Sequence, residues 1–129
     1  MGTSANWTNR AGWILSGLII AFLIMDAGMK IAEVPVSVDT TVALGFPAHL
    51  VRPLGILLLA GTLLYALPQT SLIGAIIVTG YLGGAIATQL RVENPLFSHV
   101  LFGGYFGLVL WGGLYLRNPD FRQLVSVRT

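Results

Sequence analysis

The chain has 129 residues, of which 55% are hydrophobic and only 9% are charged, against roughly 25% charged residues in a typical soluble domain. This composition, with a mean hydropathy of +0.81, excludes an ordinary soluble protein and predicts an integral membrane protein. The net charge of +2 gives no reason to expect a nucleic-acid partner, and the absence of cysteine excludes disulfides and thiol chemistry.

Four apolar stretches of the chain are long enough to cross a bilayer, since a spanning helix needs about 20 residues. They cover residues 11–30, 47–67, 71–91 and 95–117, and the connections between them use most of the remaining chain. The predicted fold class is therefore all-α: one membrane domain over residues 1–129, built as a four-helix bundle.

The first stretch, "AGWILSGLIIAFLIMDAGMK", follows Arg10 and carries Trp13 as an interfacial anchor. Asp26 and Lys30 stand one helical turn apart near its end, so the two charges can pair within the helix. A cleaved signal peptide is disfavoured, because the apolar run is long and Asp26 stands where a small-residue cleavage site is needed.

Residues 31–46 are predicted to form a connection that lies at the membrane interface. They carry Glu33 and Asp39 and are interrupted by Pro35, which favours a short strand or an amphipathic turn. In the second span, Pro47 suits the first helical turn, while Pro53 predicts a kink or a restart of the helix.

The turn between the second and third spans is very short, with Thr70 or Ser71 expected as N-cap, which predicts an antiparallel hairpin. Asn94 and Pro95 similarly predict the start of the fourth span. Small residues recur at helical spacing in the last two spans: Gly80, Gly83, Gly84, Ala87, Gly103, Gly104 and Gly107. We expect these residues to allow close helix packing, and space for a ligand is the alternative.

The orientation is predicted from the basic residues. Four spans put both termini on one side of the membrane, together with Arg10, Arg117, Arg122 and Arg128. The opposite side carries Lys30, Arg52 and Arg91. The excess of basic residues predicts that both termini are cytoplasmic.

Polar side chains gather at the non-cytoplasmic end of the predicted bundle: Asp26, Lys30, His49, Arg52, Gln89, Arg91, Glu93 and His99. Asp26 lies about one turn inside its helix, where partners on other helices satisfy it better than bulk water. We expect a pocket for the polar head of a lipophilic molecule. The candidate acid and base groups are Asp26, His49 and His99, and the candidate binding groups are Lys30, Arg52, Gln89 and Arg91.

Two other interpretations of these residues remain open. The basic side chains can extend to lipid headgroups, and an Asp–Lys pair can simply hold helix ends together. His49 and His99 could approach each other as axial haem ligands, but two histidines without a spacing signature are weak evidence, and no metal site is predicted.

The chain resembles the DoxX-like family of small four-helix bacterial membrane proteins over residues 10–122. The matching features are Asp26 and Lys30 at the end of the first helix, "GFP" at residues 45–47, residues 79–91, and Trp111. The resemblance implies a multi-pass protein of the bacterial inner membrane. The wider DoxX group takes its name from a subunit linked to quinone-coupled thiosulfate oxidation, which implies a redox-associated role without assigning catalytic residues.

Three functional hypotheses follow. The first is an accessory subunit or partner of a quinone-linked redox complex in the membrane, with a quinone as the cofactor to consider. The second is a stand-alone membrane isomerase or hydrolase that uses Asp26 or a histidine on a lipophilic substrate. The third, a small transporter, is least favoured because Asp26 lies near a helix end. The expected partners are membrane lipid and either redox-complex subunits or further copies of the chain.

Overall fold

A computed structural model of the chain describes residues 2–95 and 101–127, with the side chains of residues 7–95 and 101–125. Within these ranges every regular element is a helix, in the order α1 (Gly2–Ile31), α2 (Pro35–Ala43), a 3-10 turn (Ala48–Leu50), α3 (Val51–Ala66), α4 (Ser71–Arg91), α5 (Phe102–Arg117) and α6 (Pro119–Val127). The all-α prediction is confirmed for this part of the chain.

Among the described residues, three stretches are long and apolar enough to cross a membrane: Trp7–Ile31, Ala48–Ala66 and Ser71–Arg91. They agree with the first three predicted spans, although α1 begins nine residues earlier than the predicted span. The fourth predicted span is described only as α5, which has 16 residues. Residues 96–100 of that span lie outside the described residues.

The four long helices pack in a ring. α1 lies beside α3 and α5, and α4 lies beside the same two helices on the other side. The core between them is formed by Leu23, Leu58, Val78, Leu110 and Leu114, each almost completely buried. α2 and the 3-10 turn lie at the end of the ring where α1 ends and α3 begins.

A buried polar network joins three of these helices. The Tyr65 hydroxyl on α3 donates a hydrogen bond to the Leu110 carbonyl oxygen on α5 at 2.5 Å. Because that proton is used, Ser16 Oγ on α1 must donate to the Tyr65 hydroxyl oxygen, 3.0 Å away. The network satisfies polar atoms that would otherwise be costly in an apolar bundle.

Glycines permit close helix contacts, but mostly not the predicted ones. A Cβ added to Gly103 would lie 2.9 Å from the Leu82 carbonyl oxygen, so packing at this position is confirmed. The same prediction is wrong at Gly80, Gly83, Gly84 and Gly107, where an added Cβ would meet no described atom within 4 Å. At Gly80 and Gly84 the helix instead borders an open cavity.

The connections differ from the sequence predictions in two ways. Pro35 begins α2 instead of interrupting the chain, because a proline at the first helical position removes no helical hydrogen bond. Thr70 makes no N-capping bond to α4. Thr70 Oγ1 and Ser71 Oγ donate instead to the Leu64 and Tyr65 carbonyl oxygens, at 2.8 and 2.9 Å, and so satisfy the end of α3.

Candidate functional site: a cavity with a polar end

A cavity of about 520 Å³ lies among the ends of α1 and α4, the start of α3 and α5, and α2. Its volume falls within the roughly 300–1,000 Å³ that is typical of small-molecule sites. We call it the main cavity. The polar side chains that line it are Asp26, Lys30, Ser37, Thr40, Thr41, Tyr81, Thr88 and Gln89.

Asp26 and Lys30 form the ion pair that their spacing predicted. Lys30 Nζ lies 2.8 Å from Asp26 Oδ1, and the side chains are 14% and 34% exposed, respectively. Both charges lie one turn apart on α1, so the helix itself sets their separation. The pair gives the cavity a cationic donor and an anionic acceptor at one place.

α4 supplies the next polar groups. The Tyr81 side chain lies beside the ion pair and interacts electrostatically with both Lys30 and Asp26. Gln89 lies two turns further along the same face of the helix. Gln89 Oε1 accepts a hydrogen bond from Asn94 Nδ2, so its amino group remains as a donor at the cavity.

Tyr81 was missed by the sequence analysis. It lies within residues 79–91, which carry part of the family resemblance, but that resemblance assigns no role to its hydroxyl. A signal was nevertheless present, because Tyr81, Thr88 and Gln89 recur at helical spacing and therefore share one face of α4.

The apolar part of the cavity is bordered by aromatic rings. Phe22 of α1 packs against Phe106 of α5 with ring centroids 4.5 Å apart, and Phe102 lies 4.4 Å from Phe106. Leu54 and Leu57 of α3 line the cavity as well. The walls therefore suit a flat or chain-like apolar molecule, whereas the Asp26–Lys30 end suits a polar group.

α2 forms part of the cavity wall with Ser37, Thr40 and Thr41. The Thr40 and Thr41 hydroxyls donate to the carbonyl oxygens of Val36 and Ser37, at 2.7 and 2.8 Å. Their protons are therefore committed to the helix. The threonine oxygens can act only as acceptors toward a ligand.

Two predicted binding arginines lie outside the cavity lining and fix the chain around α2. Arg52 Nε donates to the Ile31 carbonyl oxygen at 2.8 Å, and Arg52 Nη2 lies 3.5 Å from Glu33 Oε1. Arg91 Nη2 donates to the Leu44 carbonyl oxygen at 2.7 Å. These contacts satisfy carbonyl groups at the ends of α1 and α2, and so hold the α2 segment in place.

Neither predicted histidine is among the described residues that line the cavity. His49 is exposed in the 3-10 turn and is not among the lining residues, and His99 lies outside the described residues. The structure thus brings Asp26, Lys30 and Gln89 together and separates them from His49, Arg52 and Arg91. In the part of the chain that the structure describes, no group of three or more His, Asp or Glu side chains could hold a metal ion.

The fold is that of a small helical membrane protein, and its main cavity has a polar end and mostly apolar walls. The sequence model of the DoxX-like family matches residues 14–113, which is most of the chain, and the protein belongs to that family. No curated protein and no solved structure gives a significant match to the chain.

Proposed function

We propose that the protein binds a lipophilic molecule with a carbonyl-bearing head, such as a quinone, in the main cavity. The observation that carries this proposal is the division of the cavity into one polar end, at Asp26 and Lys30, and aromatic and aliphatic walls elsewhere. A quinone has the same division, with carbonyl acceptors on its ring and an apolar tail.

The polar groups would recognise such a head by donating hydrogen bonds. Lys30 and Tyr81 carry donor protons, and the Gln89 amino group adds another. Carbonyl oxygens accept all of these bonds. Asp26 would orient the Lys30 ammonium and keep its charge balanced when the cavity is filled.

We further propose that the chain crosses the bacterial inner membrane four times, with α5 completing the fourth span and both termini in the cytoplasm. α5 is apolar throughout until Arg117, and it packs beside α1 in the ring of helices. This orientation would put the main cavity at the non-cytoplasmic end. The α2 segment would then lie at that membrane surface.

The orientation can be tested by labelling single cysteines, since the chain contains none of its own. Val42→Cys, on exposed α2, should react in intact cells with a thiol reagent that cannot cross the membrane. Leu124→Cys, on exposed α6, should react only after the membrane is opened. The reverse pattern would contradict the proposed orientation.

As a physiological role, we propose an accessory subunit or partner of a quinone-linked redox complex. The resemblance to the DoxX group, whose namesake is linked to quinone-coupled thiosulfate oxidation, supports this role. In such a complex the chain itself would hold or pass on the quinone, while the partner would carry out the electron transfer.

Binding can be measured by titrating the purified protein in detergent with decylubiquinone and following quenching of its intrinsic fluorescence. Gly80→Leu should weaken binding by about tenfold or more, because the added side chain enters open cavity space. Gly17→Leu is the matched control, since Gly17 is also unobstructed and lies outside the cavity lining. Equal quenching of both variants and the wild type would contradict the proposal.

The second candidate function is a stand-alone enzyme that moves a proton on a lipophilic substrate. It is favoured by the grouping of a carboxylate, an ammonium and a phenol at one end of the cavity, where Asp26 would act as the base. Asp26→Asn should then abolish turnover while binding persists. If Asp26→Asn keeps both turnover and binding, Asp26 is not the base, and the binding function is the better account.

A further inference from the structure

A second cavity, of about 220 Å³, lies at the opposite end of the bundle, where α5 ends and α4 and α6 begin. We call it the Arg117 cavity; it is lined by Trp13, Pro68, Ser71, Asn118, Pro119, Asp120 and Arg117 itself. It shares no residue with the main cavity. A ligand here would therefore be separate from the proposed quinone site.

Arg117 is unusual because it is a charged side chain within a packed region. Its residue is only 6% exposed, and its guanidinium carbon lies 4.2 Å from the ring centroid of Trp13 and 4.7 Å from that of Tyr65. The two rings hold the guanidinium in place and favour a cation there. Burial nevertheless removes the water that would normally solvate the charge.

The hydrogen bonds of Arg117 are incomplete. Nη2 donates to the Tyr65 carbonyl oxygen at 2.5 Å, which satisfies the end of α3. Nε is buried and has no hydrogen-bond partner. A purely structural role at the end of α3 therefore accounts for only part of the hydrogen-bonding capacity of the guanidinium.

No described carboxylate neutralises this charge. Asp120 lines the same cavity but forms no ion pair with Arg117, and the two ion pairs found in the described residues both lie at the other end of the bundle. Asp120 is exposed, so water weakens its repulsion of an anion in the cavity without removing it. The cavity thus combines a buried cation with free space beside it.

The backbone around the cavity contributes partial charges of both signs. The ends of α3 and α5 beside it carry partial negative charge, and two other helices begin there. α4 begins at Ser71 and α6 begins at Pro119, and both residues line the cavity. The beginnings of helices carry partial positive charge from their backbone amides. Ser71 Oγ cannot contribute its proton, because it already donates to the carbonyl oxygens of Tyr65 and Leu67 at the end of α3.

We propose that the Arg117 cavity binds a phosphate group, presented by the headgroup of an anionic phospholipid or by free phosphate. Phosphate oxygens match the fork of a guanidinium and accept from several donors at once. The cavity volume suits a headgroup phosphate rather than a whole lipid, whose chains would remain in the bilayer.

The test is native mass spectrometry of the full chain in detergent, titrated with phosphatidylglycerol, phosphatidylcholine or inorganic phosphate. Phosphatidylglycerol should bind with a preference of about tenfold over phosphatidylcholine, the size expected for a charge-assisted contact. Arg117→Gln should remove the preference. Arg122→Gln is the matched control, because Arg122 lies outside the cavity and bonds carbonyl oxygens of α5.

Asp120→Asn keeps the test decisive if Arg117→Gln does not fold, because it alters only an exposed side chain. Removing the negative charge beside the cavity should tighten binding of the phosphate group by a few-fold. Retention of inorganic phosphate without a lipid preference would support the site and identify free phosphate as its source. The proposal is overturned if neither ligand binds selectively, if Arg122→Gln weakens binding as much as Arg117→Gln, or if Asp120→Asn has no effect.

Discussion

The Lys30 ammonium lies 2.8 Å from the Asp26 carboxylate, and this ion pair borders a cavity whose other walls are mostly apolar. The low exposure of Lys30 makes the pair more than a surface contact. Each charge stabilises the other where water is scarce, so neither can be removed without affecting its partner.

Replacing one partner of this ion pair should lower the free energy of unfolding more than replacing both partners together. Asp26→Asn leaves the Lys30 charge without its partner, whereas Asp26→Asn combined with Lys30→Met removes both charges. We expect a coupling free energy of about 1–2 kcal/mol in a double-mutant cycle, measured by thermal unfolding in detergent. Additive effects of the two substitutions would contradict the interaction.

The phenol of Tyr65 should stabilise the bundle through its hydrogen bonds. Tyr65→Phe leaves the Leu110 carbonyl oxygen and the Ser16 hydroxyl without their partner, at a cost of about 1–3 kcal/mol. Tyr115→Phe is the matched control, since Tyr115 is exposed. Equal unfolding temperatures for the two variants would show that the network contributes little.

Substitution of glycine by alanine should destabilise the protein at packed positions and leave its stability nearly unchanged at open ones. Gly103→Ala brings a Cβ against the α4 backbone and should destabilise the protein by about 1–3 kcal/mol. Gly80→Ala enters open space and should change stability by less than about 0.5 kcal/mol. The comparison needs only unfolding temperatures, and a similar loss in both would argue against an open cavity beside Gly80.

Arg91 should hold the α2 segment in place. Arg91→Gln removes the bond to the Leu44 carbonyl oxygen, so amide hydrogens in residues 35–46 should exchange faster, by about fivefold for a loss of about 1 kcal/mol. Arg10→Gln, at an exposed position on α1, provides the control. Unchanged exchange in residues 35–46 would mean that other contacts hold α2.

Tyr81 should contribute to ligand recognition, although it was not among the predicted site residues. Tyr81→Phe removes one donor from the polar end of the main cavity and keeps the ring, so quinone affinity should fall by about fivefold to tenfold. Tyr115→Phe again serves as the control, because it lies outside the cavity. An unchanged affinity in Tyr81→Phe would remove the phenol from the proposed site.

The sequence was most informative for features that depend on residues within a single helix. The first three spans could be predicted because about 20 apolar residues in succession have few alternatives to a membrane helix. The Asp26–Lys30 pair could be predicted because its geometry is local to one helix. Both features depend on residues close together in the chain.

The features that the sequence did not predict depend on how helices are rotated and where chain segments cross. The spacing of Gly80 and Gly84 suits both a packing surface and a cavity wall, and only the positions of neighbouring helices decide between them. Arg52 and Arg91 lie at the predicted end of the bundle, yet nearby carbonyl groups take their hydrogen bonds. Proximity to an end of the bundle does not specify which side chains reach its interior.

The most direct test of the central claim is to map the attachment site of a photoreactive quinone on the purified protein. The label should attach within residues 80–89 or on α1 near Asp26, and excess decylubiquinone or the Gly80→Leu substitution should suppress it. Labelling spread over lipid-facing residues and unaffected by either treatment would contradict a quinone site in the main cavity.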